Sequence, residues 1–140
     1  MMEFPITLET ASALGLIFVI ISVRVVMARG KAAVGLGTGE GQTSIALGKE
    51  NTAPPLLVAI RAHANFAEYV PISLILLALL ESAHANRTFL MVTAITLIVS
   101  RLFHAVGLGM AAPNLFRLAG AGLSFVLIAA MAGYGLYLTL

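Results

Sequence analysis

The chain has 140 residues, of which 60% are hydrophobic and 10% are charged, and its mean hydropathy is +1.03. A water-soluble domain needs far more charge to cover its surface, so this composition excludes that class and predicts one membrane domain, residues 1–140. The net charge of +2 comes from few groups, and no basic run is interleaved with aromatic residues, which argues against a nucleic-acid partner. The absence of cysteine excludes disulfides, thiolate metal sites and a thiol nucleophile supplied by the chain.

Four apolar segments are long enough to cross a bilayer, whose hydrocarbon core of about 30 Å needs about 20 apolar residues. They run over residues 6–27, 55–80, 88–108 and 115–138. Pro54 and Pro55 suit the start of the second segment. Because backbone groups in lipid must be hydrogen-bonded internally, we predict an all-α four-helix bundle. Gly120 and Ser124 stand one turn apart on the fourth segment, a spacing that permits close helix contact.

Basic residues are concentrated at one end of this predicted bundle, and of the eight only Arg87 falls at the other end. The seven are Arg24, Arg29, Lys31, Lys49, Arg61, Arg101 and Arg117. The positive-inside rule then makes the link over residues 28–53 cytoplasmic and both termini external. That glycine-rich link lacks the spacing of a phosphate-binding loop and is interpreted as a flexible loop. Since Glu3 and no basic residue precedes the first segment, and no small-residue cleavage site follows it, we expect a retained helix. The lack of targeting signals favours a bacterial inner membrane, with an endoplasmic reticulum membrane as the alternative.

Ionisable side chains inside apolar helices are costly and therefore indicate a functional site. Arg61, Asn65 and Glu68 are spaced i, i+4 and i+7 and share one face of the second helix, whereas His63 points away. The other such residues at this depth are Arg24, Arg101, His104 and Arg117. We expect this set to converge on a small anion that bears carboxylates, because arginine binds carboxylates with two parallel hydrogen bonds.

Structural roles are the alternative for several of these residues. Arg24 and Arg117 lie within a turn of the interface, where their side chains can extend to water. Glu68 can pair with Arg101 and hold two helices together.

The histidines do not favour a metal site. His84 lies by the outer link, far from His63 and His104, so three-histidine coordination is not expected and no metal is predicted. His63 is expected to pack against other side chains. No serine, histidine and acid converge at one depth, which argues against a hydrolytic triad.

The second helix carries a recognisable motif. The segment RAHANFAEYVP, Arg61 to Pro71, resembles the R-x-H-x-N-x-x-E-x-x-P signature of the MAPEG family, the membrane-associated proteins of eicosanoid and glutathione metabolism. Arg101-x-x-His104 resembles the R-x-x-H of that family's third helix, and Arg24 stands where the family has an arginine on its first helix. The chain is similar to a microsomal glutathione transferase of bacterial type.

The resemblance implies a homotrimer of four-helix bundles that binds glutathione between adjacent subunits. Such proteins act on lipophilic electrophiles, lipid hydroperoxides or endoperoxides, which reach the site from membrane lipid. By position, glutathione would be bound by Arg24, Arg61, Asn65, Glu68, Arg101 and His104. Arg117 would stabilise its thiolate.

Two departures from the better-known mammalian pattern remove contacts to the thiol peptide. Ala64 replaces a second arginine, and Leu108 replaces a tyrosine. Two alternatives therefore stay open beside a transferase or peroxidase. One is a non-catalytic MAPEG-fold protein that binds a lipid headgroup or another anion, and the other is a small exporter with Glu68 as its lone intramembrane carboxylate.

Overall fold

Four long helices make up a computed structural model that describes residues 4–38, 54–110 and 114–140. They are α1 (Pro5–Ala32), α2 (Pro55–Ser82), α3 (Arg87–Gly107) and α4 (Leu115–Thr139). No strand occurs within these described ranges. Each helix is long and apolar enough to cross a membrane, so the predicted all-α architecture with four spans is confirmed. Residues 39–53, most of the link that we predict to be flexible, lie outside the described residues, and Lys49 lies there with them.

The α1 helix continues past its apolar stretch and ends at Ala32, after which Ala33 adopts a left-handed conformation (φ 54°, ψ 38°). Arg29 and Lys31 in the last turn favour this extension, because cations complement the negative end of the helix dipole. The Arg29 side chain also donates to the carbonyl of Gly37 at 3.0 Å. Arg29 thus folds the following turn back onto the helix end.

A residue from α2 caps the other end of α1. The capping position, Phe4, offers no side-chain hydrogen bond. Instead the carboxylate of Glu81 accepts from the backbone N–H of Ile6 at 2.9 Å and from that of Thr7 at 2.8 Å. The first turn of a helix has unpaired N–H groups and a partial positive charge, and a carboxylate satisfies both. We did not predict this contact, which fixes the start of α1 against the end of α2.

Packing is closest between α1 and α2 and between α3 and α4, while α2 also contacts α3 and α4. Among the described residues α1 touches α3 but not α4. The shared core is formed by buried apolar side chains that include Leu14, Phe66, Leu77, Leu97 and Met131. Large apolar side chains are also exposed on every helix, which is the surface expected of a bundle surrounded by lipid.

Two glycines let the end of α3 approach the start of α4. A methyl group on Gly120 would lie 2.5 Å from the backbone nitrogen of His104, and one on Gly107 would overlap the backbone of Arg117. Asn114 caps α4 by accepting from the Arg117 N–H at 2.8 Å, and its amide donates to the Gly107 carbonyl at 2.9 Å. The tight α3–α4 contact therefore sets the positions of His104 and Arg117.

Candidate functional site

Arg101 lies at the centre of a buried polar cluster, with only 2% of its surface exposed. Its Nη1 donates to Oδ1 of Asn65 on α2 at 2.9 Å. Its Nη2 donates to the carbonyl of Gly120 at 2.9 Å and to the hydroxyl of Ser124, both on α4. Its Nε lies 3.4 Å from the hydroxyl of Ser100. These contacts use four of the five guanidinium N–H groups and join α2, α3 and α4.

The acceptors around Arg101 are all neutral within the described part of the chain. Besides the amide, carbonyl and hydroxyl oxygens, the ring of Tyr69 lies 5.9 Å from the guanidinium carbon. The suggested pairing with Glu68 does not occur, since Glu68 is exposed and Arg101 bonds elsewhere. A buried cation that lacks an anionic partner is costly, so this cluster favours the approach of a negatively charged group.

Arg61 and Glu68 project from the outward face of α2. Both are exposed, and neither hydrogen-bonds to any other described residue. Glu68 lies about 20 Å from the start of α2 at 1.5 Å per residue, near the middle of this helix of 28 residues. Because a carboxylate at that depth is unfavourable in hydrocarbon, the outward face of α2 suits a ligand or a second subunit better than it suits lipid.

Arg24 lines a different cavity, of about 520 Å³, between the end of α1 and the start of α2. Lys31 lines it too, and most of the remaining wall is apolar, including Met27 and Leu56. Neither cation has a hydrogen bond or ion pair to the described residues. Lys31, which we predicted only to mark topology, stands at i+7 from Arg24, and this spacing places both on one side of α1.

His104 is buried against the start of α4, with 7% of its surface exposed. Its Nδ1 is sealed from the surface and has no hydrogen-bond partner in the described chain. His104, Asn65 and Arg101 all line a small void of about 10 Å³. A void of this volume is roughly the smallest that can hold one water molecule. His63 instead packs on Phe18 of α1, with ring centroids 4.8 Å apart.

The predicted residues thus fall into three groups. Asn65, Arg101 and His104 form one cluster, and Arg61 and Glu68 adjoin it on the outward face of α2. The remaining two, Arg24 and Arg117, are exposed at the same end of the bundle. We did not predict Ser100, Ser124 and the Gly120 carbonyl as partners of Arg101. The Gly120–Ser124 spacing was a signal for helix contact, but it did not indicate which side chain is held there.

A sequence model of the MAPEG family matches residues 7–137, a range that spans all four helices. The chain belongs to the MAPEG family. The resemblance first seen in the second helix is therefore confirmed over almost the whole length. No curated protein and no solved structure matches the chain. MAPEG proteins include glutathione transferases and peroxidases, and the four apolar helices make this member an integral membrane protein.

Proposed function

We propose that this MAPEG protein is a glutathione-dependent membrane transferase or peroxidase acting on lipophilic electrophiles or hydroperoxides. The observation that carries the proposal is the contact of Asn65 with the buried cation of Arg101, next to the outward-facing Arg61 and Glu68. Members of the family generally use glutathione, which supports the same ligand here.

The charges of glutathione suit these side chains. The peptide carries two carboxylates, one ammonium group and a thiol. Arg61 and Arg24 can each bind a carboxylate with paired hydrogen bonds. Glu68 is the carboxylate available for the ammonium group on this face. The Asn65–Arg101–His104 cluster would then form the floor beneath the peptide.

We propose a homotrimer with the ligand between subunits, as the family resemblance implies. Exposed charge on α2 supports this, because a neighbouring subunit would remove Arg61 and Glu68 from contact with lipid. Arg24, which is also exposed, would reach a ligand that is held mainly by the neighbouring α2.

Arg117 is the proposed catalytic residue. A free cysteine thiol has a pKa near 8.5, and only the thiolate is a good nucleophile. Arg117 is the third residue of α4, where its own charge and the positive end of the helix dipole both favour an anion. Lowering the thiol pKa by one corresponds to about 1.4 kcal/mol of selective thiolate stabilisation. The thiolate would attack an electrophilic carbon and expel its leaving group. Alternatively, it would attack a peroxide oxygen, break the O–O bond and release an alcohol after protonation. The glutathione sulfenic acid formed in that step would react with a second glutathione to give the disulfide and water.

We also propose that the site faces the cytoplasm of a bacterial cell, with both termini on the outer side of the inner membrane. The basic residues at the site end of the bundle support this orientation. Glutathione is then available from the aqueous side, while the apolar co-substrate arrives from lipid.

Calorimetric titration of the purified protein in detergent tests the proposal, together with conjugation of chlorodinitrobenzene and reduction of cumene hydroperoxide. We expect glutathione to bind, and Arg117→Met to lower the rate of thiol-dependent turnover by at least about tenfold, equivalent to about 1.4 kcal/mol. Arg87→Met, at the opposite end of the bundle, is the control and should behave as wild type. No binding at millimolar glutathione would rule out this function.

A second function, non-catalytic binding of a lipid headgroup or another anion, is favoured by the cavity that Arg24 and Lys31 line. Its two cations, which have no ion pair among the described residues, and its largely apolar walls suit an amphipathic anion. This alternative would be supported if phospholipid copurifies with the wild type but not with Lys31→Gln, and if the protein forms no thiol-dependent product.

A further inference from the structure

We infer that Arg101 is a positioning residue, which orients the amide of Asn65 so that its NH₂ group, and not its oxygen, faces the ligand. The inference rests on the proposed function in one respect, because glutathione is taken as that ligand. It assigns Arg101 an indirect role, although the family resemblance would place it among the direct glutathione contacts.

The chemistry of the guanidinium group determines the amide orientation. Arginine carries five N–H donors and no acceptor, and it remains charged in proteins. The Asn65 atom that lies 2.9 Å from Nη1 of Arg101 must therefore be the oxygen. In many structures the oxygen and nitrogen of an asparagine can be exchanged, but here the exchanged arrangement would place two donors face to face.

Arg101 is itself held in place and has little freedom to reach a ligand. The Gly120 carbonyl and the Ser124 hydroxyl hold Nη2, and Ser100 lies beside Nε. With 2% of its surface exposed, Arg101 is buried among the helices, and the space beside it is a void of about 10 Å³. Its effect on a ligand therefore passes through Asn65 and through its charge.

The NH₂ group of Asn65 remains available for binding. Asn65 is half-buried, and Nδ2 makes no hydrogen bond to the described residues. Unlike Nδ1 of His104, this nitrogen is not fully buried. Arg61 and Glu68 stand one turn away on either side along α2, so the amide of Asn65 lies next to the two exposed charges of that face.

The amide orientation specifies the ligand group that fits beside Asn65. Two amide donors and the guanidinium of Arg61 require an acceptor such as a carboxylate, a carbonyl oxygen or a thiolate. A ligand that placed a donor there would cover these donors without pairing them, and polar sites discriminate strongly against such a mismatch.

Asn65→Asp separates this role from a purely structural one, because aspartate has the same shape as asparagine. One carboxylate oxygen can still accept from Arg101, and the charge makes that hydrogen bond stronger. The other oxygen replaces the NH₂ donors with an acceptor and a negative charge. We expect thermal stability equal to or above wild type, together with at least about a tenfold loss of glutathione affinity, equivalent to about 1.4 kcal/mol. Asn65→Leu, which leaves Arg101 short of an acceptor, should lower both.

Asn86→Asp provides a matched control at the opposite end of the bundle. Asn86 caps α3 by accepting from the Phe89 N–H at 3.1 Å, and aspartate can do the same. This variant adds the same charge to the chain and should change neither stability nor glutathione affinity.

Two results would overturn the inference. If Asn65→Asp destabilises the protein as much as Asn65→Leu does, the oxygen of Asn65 does not face Arg101. If Asn65→Asp binds glutathione as tightly as wild type, its NH₂ group does not face the ligand. Failure of the wild type to bind glutathione refutes the proposed function, whereas the stability order of the three proteins still decides the orientation of the amide.

Discussion

Replacing Glu81 by glutamine tests the carboxylate of α2 that caps the start of α1. The side chain is 8% exposed and accepts one hydrogen bond at each carboxylate oxygen, from Ile6 and from Thr7. Glutamine keeps its shape but has a single oxygen, so one backbone N–H loses its acceptor and faces an NH₂ donor. The negative charge that complements the α1 dipole is also lost.

Each of these losses has a typical magnitude. Leaving a buried N–H unpaired costs about 1–3 kcal/mol. Hydrogen bonds to charged groups contribute more to stability than those between neutral groups. A charge at a helix N-terminus contributes about 0.3–1 kcal/mol. Because these terms overlap at one side chain, we expect Glu81→Gln to lower the free energy of unfolding by about 1–3 kcal/mol.

Titration of purified protein with a denaturing detergent, followed by circular dichroism, measures this change. The control is Glu9→Gln, because Glu9 is an exposed carboxylate on α1 and makes no hydrogen bond to the described residues. Equal stability of the Glu81 variant and wild type would refute the capping role. An equal loss in both variants would show that net charge, and not the cap, is responsible.

Two further predictions concern helix contact and topology. Gly120→Ala should destabilise the protein by about 1–3 kcal/mol through overpacking against the backbone of His104. Gly122→Ala is the control, because a methyl group there meets nothing within 4 Å, and it should be neutral or stabilising in the same denaturation measurement. Since the chain contains no cysteine, single-cysteine variants can report topology. On intact cells a membrane-impermeant maleimide should label His84→Cys, but it should label Leu36→Cys only after permeabilisation. The reverse pattern would contradict the proposed orientation.

The membrane spans could be predicted because hydropathy is a local property of the sequence. The ends of the helices were harder to predict. The α1 helix ends at Ala32 because of a turn that Arg29 stabilises, and not because the hydropathy changes there. The cap by Glu81 joins residues that are 75 positions apart, and nothing in the local sequence marks that contact.

Prediction of the site was limited in the same way, because the sequence does not fix how each helix is rotated about its own axis. Depth along the bundle was enough to predict that Asn65 and Arg101 lie close together. Depth could not decide between Asn65 and Glu68 as the partner of Arg101, because three residues differ by about 60° around a helix axis. That difference puts Asn65 against Arg101 and leaves Glu68 on the outer face. The rotation of α2 depends on how its whole length packs against three other helices, which no single motif specifies.

The separation of Arg101 from Glu68 has a consequence for assembly. Within the described part of one subunit, the buried cation has neutral partners and the carboxylate near the middle of α2 has none. A subunit of this kind is electrostatically incomplete in lipid, and an anionic peptide with an ammonium group, held against a neighbouring copy, would complement both charges at once. On the proposed function, ligand binding and subunit association therefore stabilise each other, and linkage requires the effect to be reciprocal. Glutathione should raise the detergent concentration at which the oligomer dissociates, and Glu68→Gln should reduce that effect. An oligomer whose dissociation is insensitive to glutathione, despite measurable binding, would place the ligand away from the subunit boundary.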